Sequence, residues 1–174
     1  MDEVRGSRRK LPESLAVLRA RLDAAAVRRT FLHLDAPATT PDILAMALAL
    51  PLSAIVVALK LEAGGDLLIA IIPANARLDL RAVAAAVGAD RVRVASHRGP
   101  RGAEEKPSLQ PLVTDLPTVL DKSLASREYL FGASDDPGWA LRIGAAALRR
   151  ATGAILADIV RAQRTSRPDA IGEA

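Results

Sequence analysis

Lys60 is the one cation within IVVALKLEAGGDLLIAIIPAN, residues 55–75. A lysine there can act as a catalytic group or a phosphate contact, or it can send its ammonium to water from near a strand end. His33, flanked by Leu32 and Leu34, is either a pocket residue or a half-buried structural one. Ser108 and Ser134 carry hydroxyls, but no Gly-x-Ser-x-Gly elbow surrounds either. Asp121 can be a site carboxylate or a turn cap. Arg91 and Arg93 share one face of an alternating segment and can meet a nucleic-acid backbone or solvent. No GxxxxGK[ST] loop, GxGxxG fingerprint or zinc pattern occurs.

Composition narrows the classes further. The 174 residues hold no cysteine and two histidines, His33 and His97. Thiolate catalysis, disulfides and a histidine-rich metal site are therefore excluded, and no metal or other cofactor is expected. Pro51 interrupts the longest apolar candidate, residues 43–59, so no membrane span is expected. The charged start MDEVRGSRRK does not read as a secretory signal, and a cytoplasmic setting is expected. A net charge of +4 suits a phosphate-bearing partner, although arginine-rich composition alone gives the same figure. The few aromatics, Phe31, Tyr129, Phe131 and Trp139, argue against a stacking platform for single strands.

The elements that would position these groups follow from periodicity and caps. Residues 1–11 read as a flexible basic arm, 12–163 as one domain and 164–174 as a disordered tail. Pro12 opens an amphipathic helix to about residue 29, with Leu15, Leu18, Leu22 and Ala25 on one face. Residues 30–34 form a short strand. Thr40-Pro41-Asp42 starts a helix that ends before Pro51. Residues 54–62 and 67–72 are strands around a Gly-Gly turn, apolar enough to be buried on both faces. Asp79 caps a helix through Val87, with Gly88 at its end. Residues 91–94 form a half-exposed strand, and 96–115 a long irregular segment of the kind that is functional or mobile. Strands are expected at 117–120 and 128–133. A turn at Asp135-Asp136-Pro137-Gly138 leads into a strand through Ile143, and a helix spans 145–152. This order predicts a single α/β domain with a mixed sheet.

The same order resembles the YbaK/ProX family of aminoacyl-tRNA deacylases, also found as the editing insertion of bacterial prolyl-tRNA synthetases, from about residue 30 to 160. His33 with Ala38-Thr39 resembles an early histidine-and-threonine segment. Val56 to Glu62, the Gly-Gly turn and Ile71-Ile72-Pro73 resemble the central hairpin. Residues 75–80, NARLDL, resemble the lead into the next helix, and 116–124, LPTVLDKSL, resemble LPVxxDxSL. Residues 148–159 resemble the closing helix and strand. The resemblance implies a barrel-like mixed β-sheet flanked by helices. It implies an aminoacyl-tRNA partner and trans-editing hydrolysis of the ester on mischarged tRNA. Oligomeric state stays open.

The resemblance also implies site residues. The family uses a lysine in a Lys-Thr-Leu-like motif and a GxxxP loop whose backbone positions the aminoacyl group. Counting back from Pro73 without gaps sets that motif on Val57-Ala58-Leu59. Lys60 enters the catalytic slot only if the hairpin shortens by three residues, which would reverse its side chains. Pro107-Ser108-Leu109-Gln110-Pro111 falls on the loop, with Pro107 in place of glycine. The substrate-binding set is then His33, Thr39, Val57, Pro107, Ser108, Leu109, Gln110, Pro111 and Asp121, with the amino acid between the Val57 strand and the 107–111 loop. The alternatives are an inactive relative that binds aminoacyl-tRNA or a related ligand, and a scaffold that keeps only the fold.

Overall fold

The computed structural model describes residues 10–95 and 109–161. Most of the expected basic arm, the C-terminal tail, His97, Pro107 and Ser108 lie outside the described residues.

Helix α1 spans Ala16–Ala24, after a short 3-10 turn at Glu13–Leu15 that Pro12 precedes. It is shorter than the periodicity predicts. Ala26 takes a positive φ of 50°, and Val27 N–H closes on the Leu22 carbonyl at 3.0 Å, which turns the chain into strand β1, Arg29–His33. Helix α2 covers Pro41–Leu48, and the Thr40 hydroxyl accepts from Ile43 N–H at 3.3 Å. It stops at Ala49, which is left-handed, just before Pro51.

Strands β2, Val56–Ala63, and β3, Asp66–Pro73, form one regular hairpin. Ala63 pairs with Asp66, so only Gly64 and Gly65 form the turn. Their φ values of +61° and +100° are what a tight hairpin of this twist needs and what side chains resist. Helix α3, Leu80–Val87, is capped by the Asp79 carboxylate, which accepts from Arg81 and Ala82 N–H at 3.0 and 3.3 Å. Then come β4 (Val92–Val94), β5 (Thr118–Asp121), β6 (Leu130–Ala133), β7 (Trp139–Ile143), α4 (Ala145–Thr152) and β8 (Ile155–Ala157).

The strands make two sheets. The larger is mixed, in the order β4-β2-β3-β5-β8; the smaller is antiparallel, in the order β1-β7-β6. A parallel bridge between Ile55 and Phe131 joins them at one corner. The barrel-like sheet is thus two sheets pinned together, not a closed ring. Among the described residues, β4 and β8 each pair on one side only and form the edges of the large sheet.

Alternation of side chains assigns the layers. Val56, Ala58, Ile69, Ile71 and Leu120 of the large sheet meet Leu130, Leu141 and Ile143 of the small one, and Leu15 of the 3-10 turn, Leu18 and Leu22 of α1 and Leu148 of α4 complete this central core. The opposite face of the large sheet, with Leu61, Ala70, Ile72 and Val119, packs on Val83 of α3. The outer face of the small sheet, with Leu32 and Ala140, packs on Leu44 and Ala45 of α2. Both faces of the central hairpin are covered, as its continuous apolar sequence predicts.

Candidate functional site

Three segments distant in sequence meet at one end of the small sheet. The chain after β1 is tied to the turn before β7: Leu34 N–H donates to the Gly138 carbonyl and Ala38 N–H to that of Pro137, both at 2.9 Å. The third segment, residues 109–111, runs beside β2, where Gln110 pairs with Ala58 as an antiparallel bridge. Leu112 N–H then donates to the Ala133 carbonyl at 3.2 Å, which anchors the segment to β6. Gly132 makes this approach possible, since a Cβ there would sit 2.6–2.8 Å from the Leu112 side chain.

Between these segments lies a cavity of about 300 Å³. Leu34, Ala38, Leu44, Leu109, Ala133 and Trp139 give it apolar walls, and Thr39, Gln110, Ser134, Asp135 and Asp136 supply polar groups. Pro111 and Pro137 complete the lining. No lysine, arginine or histidine is among these residues.

The polar groups differ in how far they are already used. Ser134 is buried, 6% exposed. Its hydroxyl lies 2.8 Å from the Trp139 carbonyl and 3.0 Å from that of Asp136, and it accepts from Asp136 N–H at 3.2 Å. One proton can serve only one of those carbonyls at a time, so this hydroxyl is a turn brace. Asp136 accepts from Gly138 N–H at 2.9 Å and from the Ser14 hydroxyl at 2.7 Å. Asp135 has no side-chain hydrogen bond among the described residues. As a residue it is exposed, yet it lines the cavity and its carboxyl is partly buried. That partial burial holds its pKa above the ordinary aspartate value, and the Arg21 guanidinium opposes the shift.

Of the residues expected from sequence, Thr39, Leu109, Gln110 and Pro111 line this cavity together. His33 does not line it, but its ring meets Trp139 edge-on, centroids 5.0 Å apart, and so supports a wall. Val57 and Lys60 are not on the lining. Val57 packs on the α3 side of the large sheet, near the cluster that holds Ile72 and Val83. Lys60 pairs with Ile69 in the ungapped hairpin, on the opposite face of β2 from Val57. Asp121 is 1% exposed and away from the lining. Its carboxylate accepts from Ile159 N–H at 2.9 Å and from the backbone N–H of Ser123 at 3.1 Å, and the Ser123 hydroxyl also donates to it. These contacts tie the end of β5 to the chain after β8. Arg93 donates to Glu62 at 2.7 Å across β4 and β2.

Sequence reasoning passed over Asp135, Asp136 and Trp139. The Asp-Asp-Pro-Gly signal was legible as a turn, and nothing in it says that the turn closes a cavity. Among the described residues, no helix is long and apolar enough to cross a membrane.

Comparison with known proteins identifies the family and the fold. The model of the aminoacyl-tRNA editing domain matches residues 35–151. No curated protein matches the chain. A crystal structure described as a candidate trans-editing enzyme for prolyl-tRNA synthetase superposes with a TM-score of 0.68 at 22% identity, covering 88% of this chain and 100% of the other. A hypothetical protein of known structure gives 0.67 at 24% identity, covering 83% and 99%. A candidate signal transduction protein from Marinobacter aquaeolei VT8 gives 0.57 at 23% identity, covering 88% of this chain but 31% of the other. At these identities the likeness is one of fold.

Proposed function

Since the chain belongs to the aminoacyl-tRNA editing domain family, we propose that it hydrolyses the ester of mischarged aminoacyl-tRNA, holding the aminoacyl group in the cavity beneath residues 109–111 without a catalytic lysine from β2. The observation that carries this reading is the cavity itself. It lies against the segment that resembles the family's positioning loop, while Val57 and Lys60 are both off its lining. About 300 Å³ is at the small end for ligand pockets. It suits an amino acid residue, with the nucleotide outside.

The chemistry follows from the lining. A small apolar side chain would rest on Leu34, Leu44 and Trp139. The carboxylate of Asp135 would accept the α-ammonium, a charge-assisted pairing stronger than a neutral hydrogen bond. Water adds to the ester carbonyl, the bond to the ribose oxygen breaks, and that oxygen takes up a proton. The products are the free amino acid and a tRNA with its hydroxyl restored. Negative charge on the tetrahedral intermediate needs N–H or O–H donors. Thr39 and Gln110 bring side-chain donors to the lining.

A second reading, binding of aminoacyl-tRNA without turnover, is favoured by one observation: no cationic side chain is among the described lining residues. Amino acid release from a panel of mischarged tRNAs separates the two. Turnover supports the hydrolase. Tight binding of the same tRNAs with no release, under conditions where an active deacylase clears the panel, supports the binder.

A further inference from the structure

A second concavity, about 550 Å³, opens near the start of β1. Arg28, Arg29 and Arg142 line it with Thr30 and Tyr129, and Asp23 is the one acid there. Three guanidiniums and one carboxylate leave it a net +2. The arginines are not equivalent. Arg29 is fixed, its side chain 19% exposed, bonded to Asp23 and to the Val27 carbonyl. Arg142 holds its guanidinium carbon 4.6 Å from the Tyr129 ring centroid. Arg28 is exposed, with no hydrogen bond or ion pair among the described residues. Tyr129 is 45% exposed, so the ring also offers surface to solvent.

An exposed aromatic backed by one guanidinium, with a second guanidinium unengaged, matches a unit that carries both a phosphate and a flat ring. We propose that this concavity binds the phosphodiester backbone of an RNA strand, with a base resting on Tyr129. That the RNA is tRNA rests on the functional reading above; the chemistry of the concavity does not. Thr30 pairs with Arg142, and three residues further along β1 His33 pairs with Trp139, which lines the first cavity. At roughly 3.3 Å per residue the two pairs lie about 10 Å apart along the strands, with Arg142 and Trp139 turned to opposite faces of β7. The Arg91/Arg93 strand face is a poorer backbone contact, since Arg93 is engaged by Glu62.

The test is fluorescence anisotropy of a labelled RNA stem-loop with an unpaired 3′ end, titrated with the full chain at several salt concentrations. Arg28→Ala and Arg142→Ala should each weaken binding about three- to tenfold at moderate salt and lower the salt slope by about one. Arg81→Ala, at the start of α3 on the other side of the large sheet, controls for net charge and should bind as wild type. Circular dichroism confirms that each variant folds. Equal losses in all three variants, or none, would overturn the proposal. Competition separates the sources of the phosphate. Mononucleotide or inorganic phosphate that displaces RNA only at far higher concentration supports a strand site, and displacement at equal concentration overturns it. RNA binding that falls in the arginine variants of a chain with no ester cleavage would count against the hydrolase reading alone. Ester cleavage with unchanged RNA affinity in those variants would overturn this inference alone.

Discussion

In the proposed hydrolase reading, Asp135 is the side chain that would hold the α-ammonium of the substrate. Its carboxyl is the acid of the cavity lining with no side-chain hydrogen bond among the described residues, whereas Asp136 is bonded to Ser14 and Gly138. Asp135→Asn should raise KM or Kd for aminoacyl-tRNA roughly 10- to 100-fold, the range of a charge-assisted hydrogen bond. N-acetylated aminoacyl-tRNA, which lacks the ammonium, should bind wild type and variant alike. A loss on Asp135→Asn that is as large for the acetylated substrate would rule out the ammonium contact. The pH dependence has a definite sign. Burial raises the pKa of Asp135, so its carboxylate, and with it affinity for the ammonium, is lost on acidification at a higher pH than an ordinary aspartate would set. The same shift means the folded state binds this proton more tightly than the unfolded chain. The contribution of Asp135 to stability therefore falls as pH rises from the ordinary aspartate range through the raised value. Asp121 predicts the opposite kind of effect. Asp121→Ala removes the acceptor of Ile159 N–H and of Ser123, and should cost about 1–3 kcal/mol in denaturant unfolding. An unchanged midpoint would deny it that structural role.

At the scale of elements, the cavity depends on how closely residues 109–112 approach β6. Gly132→Ala would drive a methyl into Leu112, a buried core residue, at contact distances no Cβ tolerates. Overpacking of this kind costs about 1–3 kcal/mol. The strain is relieved most directly by moving Leu112 and the adjoining lining, so the variant should lose both stability and aminoacyl affinity. Wild-type behaviour in both would show that the approach is not required. Ala49 closes α2 at φ 52°, where glycine is at ease. Ala49→Gly should raise stability by up to about 1 kcal/mol, or at least not lower it, because relief of strain offsets the extra freedom of the unfolded chain. The hairpin was legible from sequence for the same kind of reason: Gly64-Gly65 between two apolar runs leaves one turn geometry and one register. The caps at Thr40 and Asp79 and the stops at Gly88 and Gly153 were equally legible. The early end of α1 was not, because Ala26 carries no signal for a positive φ.

Across the whole molecule, what the sequence conceals is juxtaposition. Residues 34–44, 109–111 and 133–139 line one cavity, yet each reads by itself as a strand end, a loop and a turn. Thr39 and 109–111 were singled out through family resemblance, and the structure sets them on the cavity lining. Asp135 was not singled out because its place on the lining depends on a wall that other segments build. The arginine concavity is hidden in the same way: Arg28, Arg29, Tyr129 and Arg142 come together only when β1 pairs with β7 and β7 with β6. Lys60, the most conspicuous residue of the sequence, pairs with Ile69 and is not on the cavity lining. The most direct test of the account is therefore amino acid release from a panel of mischarged tRNAs by wild type and Lys60→Ala, each checked for folding. The account predicts release by wild type and a rate in Lys60→Ala within about twofold of it, since Lys60, half-buried in β2, is not on the cavity lining. Abolished release in a folded Lys60→Ala variant, or no release by wild type from a panel that an active deacylase clears, would contradict it.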